Sequence, residues 1–223
     1  MRLHPGLMWA AMALCCASIT VAARADDEAA YTRVITERAD KIVSPLAIAD
    51  SAQAVRVRGL IVDQYRNLRT IHDALETKTA EAENVPGDRT VAEAWIGVAR
   101  KDADLKLFGL HRRFVAQLSA ELTPEQLEQV KDGMTYGVLN VTYRAYVELL
   151  PTLSDEQRKV IRAQLVEARE YAMDAGSAEE KHAWFGKYKG RINNYLSAEG
   201  YDLKQAEKEL SARRKAARSP SPE

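Results

Sequence analysis

The chain has 223 residues and carries 32 Lys and Arg against 32 Asp and Glu, so it is neutral overall. That balance argues against nucleic acid as a partner, which calls for a basic face. Cys15 and Cys16 are the only cysteines, and from residue 17 onward no thiol is left for a disulfide, a metal site or a nucleophile.

Residues 1–25 read as a signal peptide. "MRLHPG" carries Arg2 and the α-amine, "LMWAAMALCCASITVAA" is a short apolar run, and Ala23-Arg24-Ala25 supplies an A-x-A cleavage site. The run is shorter than the ~20 residues a membrane span needs. Leu14 and Cys15, which precede the two cysteines, do not fit a lipobox, where a small residue belongs. The mature chain is expected to start at Asp26, in the periplasm or outside the cell, with no membrane attachment once the signal is removed.

From there apolar residues recur at helical spacing almost everywhere, and no alternating β-branched run competes with them. The pattern predicts an all-α protein, a helical bundle of about six to seven helices, with residues 26–210 as a single domain and 211–223 as a basic, disordered tail. The first helix, about 27–43, uses Tyr31, Val34, Ile35 and Ile42 and stops before Pro45. The second, about 51–78, aligns Val57, Ile61, Tyr65, Leu68, Ile71 and Leu75, and "ENVPGDR" turns the chain. In the third, about 91–118, Val91, Trp95, Val98, Leu105, Phe108, Val115 and Leu118 are expected to face the core, with Asp102 intruding on that face. Later helices start at Pro124, Asp155, about 178 and about 203, with an interruption expected after Gly137, where "VLNVTYRAY" is β-branched.

"LTPEQL" at Leu122 and "LSDEQR" at Leu153 repeat L-[ST]-x-E-Q. Thr123 and Ser154 suit the N-cap, Pro124 suits the first helical position, and Gln126 and Gln157 three residues on complete capping boxes. The same device recurs as Asp50 with Gln53, Thr90 with Glu93, Ser177 with Glu180 and Asp202 with Gln205.

No zinc, P-loop, dinucleotide or nucleophile-elbow signature is present, so neither a metal nor a cofactor is called for. His72 follows Leu68 by four residues, as a core histidine would, and His111 before "RR" suits the surface. In "KHAWFGKYKGRINNYL", Phe185, Ile192 and Leu196 make a core stripe. Beside it Trp184, Tyr188, Arg191 and Tyr195 form a second stripe at helical spacing, flanked by His182, Lys187, Lys189 and Asn194. Flat rings beside amide and guanidinium donors suit a sugar, which has an apolar C–H face and a rim of hydroxyls; the same rings also suit the edge of a core. Gly186 and Gly190, like Gly133 and Gly137, each cost about 1 kcal/mol inside a helix. A shared close approach would offset this, with Tyr136, Asn140, Tyr188 and Arg191 lining one cleft and His72 a third wall.

"VITERADKIV", "LIVDQYRNLRTIHD", "LTPEQLEQVKDGMTYGV", "AREYAMDAG" and "HAWFGKYKGRINNYLSAEGYDL" resemble a secreted bacterial family of unknown function associated with polysaccharide-utilisation genes. The resemblance spans about 28–210 and implies sugar binding or glycan processing, with no catalytic residue to carry over. The L-T-x-x-Q pairs are similar to those of the Spy and CpxP periplasmic chaperones. Three readings follow: a binding protein for plant-type oligosaccharides, with carbohydrate as partner; a periplasmic helical chaperone or stress adaptor; and a lyase or hydrolase acting on acidic glycans, using His182 or Tyr188 as base and Lys187, Lys189 or Arg191 as cation.

Overall fold

The protein is described by a computed structural model that covers residues 26–85 and 89–218, so the proposed signal peptide lies outside the described residues. Among the described residues every regular element is helical. They are α1 (26–43), a 3₁₀ turn at Ser44–Leu46, α2 (Ser51–Glu83), α3 (Arg89–Glu121), α4 (Pro124–Met134), α5 (Val138–Leu149), α6 (Asp155–Met173), α7 (Ala178–Ala198) and α8 (Leu203–Arg218). The eighth helix arises because the fourth predicted one is broken. None of the described helices is long and apolar enough to cross a membrane. Helix α8 runs on through basic residues to Arg218, past the boundary expected at 210.

The chain divides into two compact units, Met1–Tyr65 and Arg66–Glu223, with the division falling inside α2. In the first unit Ile35, Ala39, Ile42, Val57 and Ile61 are buried, and the Tyr31 hydroxyl donates to the Tyr65 carbonyl at 2.9 Å. The 3₁₀ turn ends on Ala47 at φ 50, a left-handed residue that stops α1 from continuing.

The second unit is built around the α6–α7 hairpin. Ile161, Leu165, Ala168 and Ala172 from α6 meet Phe185, Tyr188, Ile192 and Leu196 from α7, and α5 and α8 close the cluster with Leu139, Tyr146 and Ala206. The turn between the two helices is set by three polar devices. Ser177 caps α7 by accepting from Glu180 N, the Glu180 carboxylate reaches back to Gly176 N at 2.8 Å, and buried Lys181 donates to the Ala172 and Met173 carbonyls. The ammonium thus adds a donor to carbonyls in the last turn of α6, where the helix dipole also favours a cation. Gly176 is needed for space: a Cβ there would sit 2.9 Å from the His72 ring, whose Nε2 lies 2.8 Å from the Asp174 carbonyl.

Both L-[ST]-x-E-Q segments form complete capping boxes, Thr123 with Gln126 and Ser154 with Gln157. The break expected after Gly137 falls at 135–137, where Tyr136 at φ 58 and Gly137 at φ 65 are both left-handed. The Gly137 amide donates to the Asp132 carbonyl at 2.8 Å, ending α4 as α5 begins.

Helix α3 departs from its sequence pattern. The residues it buries are Ala99, Ala103, Leu110, Phe114 and Leu118, whereas Val91, Trp95, Val98, Leu105 and Phe108 stand 50, 66, 69, 73 and 62% exposed. Apolar side chains lie on two sides of this helix, and Ala99 and Ala103 line a cavity of about 230 Å³ with Thr70, Ile71, Ala74 and Leu75 of α2. Asp102, expected as a buried acid or a kink, instead bonds Lys78 of α2 at 3.0 Å and Lys106 at 2.9 Å.

Candidate functional site

Two groupings of side chains in the second unit go beyond packing. The first is an aromatic shelf on α6 and α7. Tyr171 stacks on Trp184 with ring centroids 4.5 Å apart and planes at 14°, and lies 6.3 Å from Tyr188. Lys187 Nζ sits 4.8 Å from the centre of the Trp184 ring, and the Arg191 guanidinium lies 4.6 Å from that of Tyr188. Cations over ring faces are held by the ring quadrupole. Tyr171 is 47% exposed and Trp184 half-buried, so the shelf presents ring surface and two fixed positive charges to water.

The stripe read from the sequence is therefore divided. Tyr188 is sealed in the core, because α6 leans across the face of α7 that carries it. Burial and a hydrogen bond to Glu167 push its hydroxyl up to about 12, which removes it as a base near neutral pH. Tyr195 is half-buried against the same core, while Arg191, Lys187, Lys189 and Asn194 are exposed.

His182 lies about 200° around α7 from Trp184, at about 100° per residue, and belongs to a different surface. There it stacks on the exposed Tyr136 at 6.0 Å. Asn140, also on the outside, donates to Asp132 Oδ2 at 2.6 Å. The single cleft expected around the glycines does not form. A Cβ at Gly137, Gly186 or Gly190 would meet nothing within 4 Å, so no neighbour approaches them closely. Gly137 is required instead by its left-handed φ. His72 lines a separate shallow groove of about 360 Å³ with Asp73, Leu75, Glu76, Gly176 and Glu180.

The second grouping was not visible in the sequence. His111, expected on the surface, reaches from α3 with Nδ1 3.0 Å from Asp174 and Nε2 3.3 Å from Glu170. Glu170 also bonds Lys131 of α4 at 3.0 Å, and buried Arg169 bonds Asp132 at 2.7 Å and Glu128 at 2.6 Å. Hydrogen bonds to Asp174 and then Glu170, working against burial, raise the imidazole to about 9, so both ring nitrogens carry protons at neutral pH. Burial would raise Glu170, but His111 and Lys131 outweigh it and hold the carboxyl at about 2. A histidine fixed as a cation between two carboxylates is a strut joining α3 to α6 rather than a proton shuttle. Its signal lay in "AREYAMDAG": Arg169, Glu170 and Asp174 cluster there, and only the packing of α6 shows what they meet.

The chain belongs to the family described as "Protein of unknown function (DUF3826)", which its residues 32–216 match. No curated protein matches the chain.

Proposed function

We propose that this protein binds oligosaccharide fragments bearing acidic groups, in the periplasm or outside the cell, through the Tyr171, Trp184, Lys187 and Arg191 shelf and without turning them over. The observation that carries the reading is the stacked, partly exposed Tyr171–Trp184 pair with two cations beside it. Ring surface suits the C–H face of a sugar, and Lys187 and Arg191 offer donors and charge to a uronate carboxylate. The N-terminal signal pattern supports the location. A lyase has less behind it: Tyr188 is buried with its hydroxyl held protonated, and His182 faces elsewhere, so neither of the two bases read from the sequence is offered beside the cations. In the chaperone reading both paired motifs are accounted for by helix capping.

An oligosaccharide array containing neutral and uronate-bearing fragments tests this. Binding to acidic fragments should fall at least tenfold in Tyr171→Ala and in Trp184→Ala, and Lys187→Glu should remove the preference for acidic over neutral ligands. A folded protein that captures no glycan would overturn the proposal, as would binding indifferent to all three substitutions.

A further inference from the structure

The aromatic shelf does not end at Arg191. Helices α6 and α7 run antiparallel, in a register fixed by Tyr171 on Trp184, by the bond between Glu167 and the Tyr188 hydroxyl, and by Gln157 donating to Glu199 at 3.1 Å. That register sets half-buried Gln164 of α6 level with Arg191, and Val160 level with Tyr195. On α7, Trp184, Arg191 and Tyr195 stay within about 40° of one another at about 100° per residue. Tyr195 packs on the hydrophobic cluster and is half-buried, as Trp184 is. Helix α5 lies on the other side of the hairpin: Tyr146 bonds Asn193 at 2.7 Å, and Asn193 is about 180° around α7 from Trp184. The edge that carries Trp184, Arg191 and Tyr195 is therefore not the one that α5 covers.

Along the helix, Tyr195 stands about 16 Å from Trp184 and Arg191 about 10 Å from it, at 1.5 Å per residue. Built from bonds of about 1.5 Å, a pyranose with its glycosidic oxygen advances a chain by roughly 5 Å. We propose that Tyr195 is a second stacking position of the same site, and that the ligand is a linear chain of about four sugar rings laid along α7. One end ring stacks at Trp184 and the other at Tyr195, and the ring between them at the level of Arg191 and Gln164 meets the guanidinium and the amide. This inference rests on the reading of the shelf as a glycan site and adds the length and direction of what it holds. Two aromatic positions with donors between them suit a chain, because every ring of a chain repeats the same C–H face and the same hydroxyl rim. A disaccharide would fill the Trp184 end alone and leave Tyr195 without a part in binding.

Titration calorimetry with oligogalacturonates of two to six units measures the length of the site. Affinity should rise at least tenfold from the disaccharide to the tetrasaccharide and then level off. Tyr195→Ala should remove that rise and leave the affinity for the disaccharide unchanged, which also shows that the variant is folded. Tyr195→Leu, which keeps apolar bulk against the core, should do the same. A Trp184-dependent affinity that is equal at every length overturns the extended site and leaves the shelf standing, and so does a rise that survives both Tyr195 variants. Binding of no glycan at any length overturns the reading of the shelf and this inference with it.

Discussion

Helices α3 and α7 are both rich in aromatics, yet they treat apolar side chains in opposite ways. In α7 the large residues Phe185, Tyr188, Ile192 and Leu196 are all buried against α6, α5 and α8. In α3 the inward positions near α2 are the alanines Ala99 and Ala103, while Trp95, Val98, Leu105 and Phe108 look outward. A helix apolar on two sides is expected where both sides are covered. The contrast teaches that bulk and hydrophobicity do not by themselves locate a core. What locates it is which side of the helix its neighbours cover: Leu110, Phe114 and Leu118 are buried farther along the same helix.

The sharpest way to break that contrast is a pair of matched truncations. Phe185→Ala removes a ring that is 1% exposed and should cost about 3–5 kcal/mol. Phe108→Ala, at 62% exposed, should change the stability of the monomer by no more than about 0.5 kcal/mol. Chemical denaturation of dilute protein measures both, and similar losses in the two would mean that the outer side of α3 is part of the fold.

Arg169→Ala should come next in size. The guanidinium is 2% exposed and holds Glu128, Asp132 and Glu170, so its loss strands carboxylates between α4 and α6. Breaking a buried pair costs about 3–5 kcal/mol, but Glu128 at 49% and Asp132 at 22% exposed can rehydrate, which lowers the expectation to about 2–3 kcal/mol. Arg169→Lys should recover only part of this, because an ammonium cannot span two carboxylates as the planar fork does.

The strut at His111 ties α3 to the end of α6, and pH reads it. Its folded pKa, about 9, lies above the ordinary 6.5, so its contribution is complete below 6.5 and is lost as pH rises through 9. Glu170, held at about 2 against an ordinary 4.5, contributes above 4.5 and fails as pH falls toward 2. The two share one contact and are not additive. Because the ring is partly exposed, the expected loss between pH 6.5 and 9.5 is about 1–2 kcal/mol. Wild type should lose this relative to His111→Gln in melting temperatures across that range. Parallel curves would show that the imidazole is not held as a cation.

Much of the architecture was legible beforehand, for local reasons. Thr123, Gln126, Ser154 and Gln157 announce helix starts because capping involves only neighbours in sequence, and Gly137 marks a break because its cause is its own backbone. What could not be read depends on residues far apart. The burial of Tyr188 needs α6, the cation at His111 needs Glu170 and Asp174, and the exposure of Trp95 follows from an open groove that it lines with Lys78, Glu81, Ala82 and Val85. The aromatic shelf was half legible: Trp184, Lys187 and Arg191 share one helix, but Tyr171 joins them only through the hairpin.

The smallest effects come from the glycines of α7. Gly186 and Gly190 are exposed, lie in the helix interior, and have nothing within 4 Å of the Cβ they lack. Alanine at each should therefore stabilise by about 0.5–1 kcal/mol, through helix propensity and a less flexible unfolded chain. Gly137→Ala should have the opposite sign, because φ is +65 there, and Gly176→Ala should too, because the His72 ring stands 2.9 Å from the new Cβ. For a domain of this size each kcal/mol moves the melting temperature by about 2–4 °C. If Gly186→Ala and Gly190→Ala instead destabilise in a manner that grows with protein concentration, some surface of another molecule comes close to that side of α7. The bare glycine side of α7 would then be a contact surface, and the helix that buries its large residues so completely on one side would be covered on the other as well.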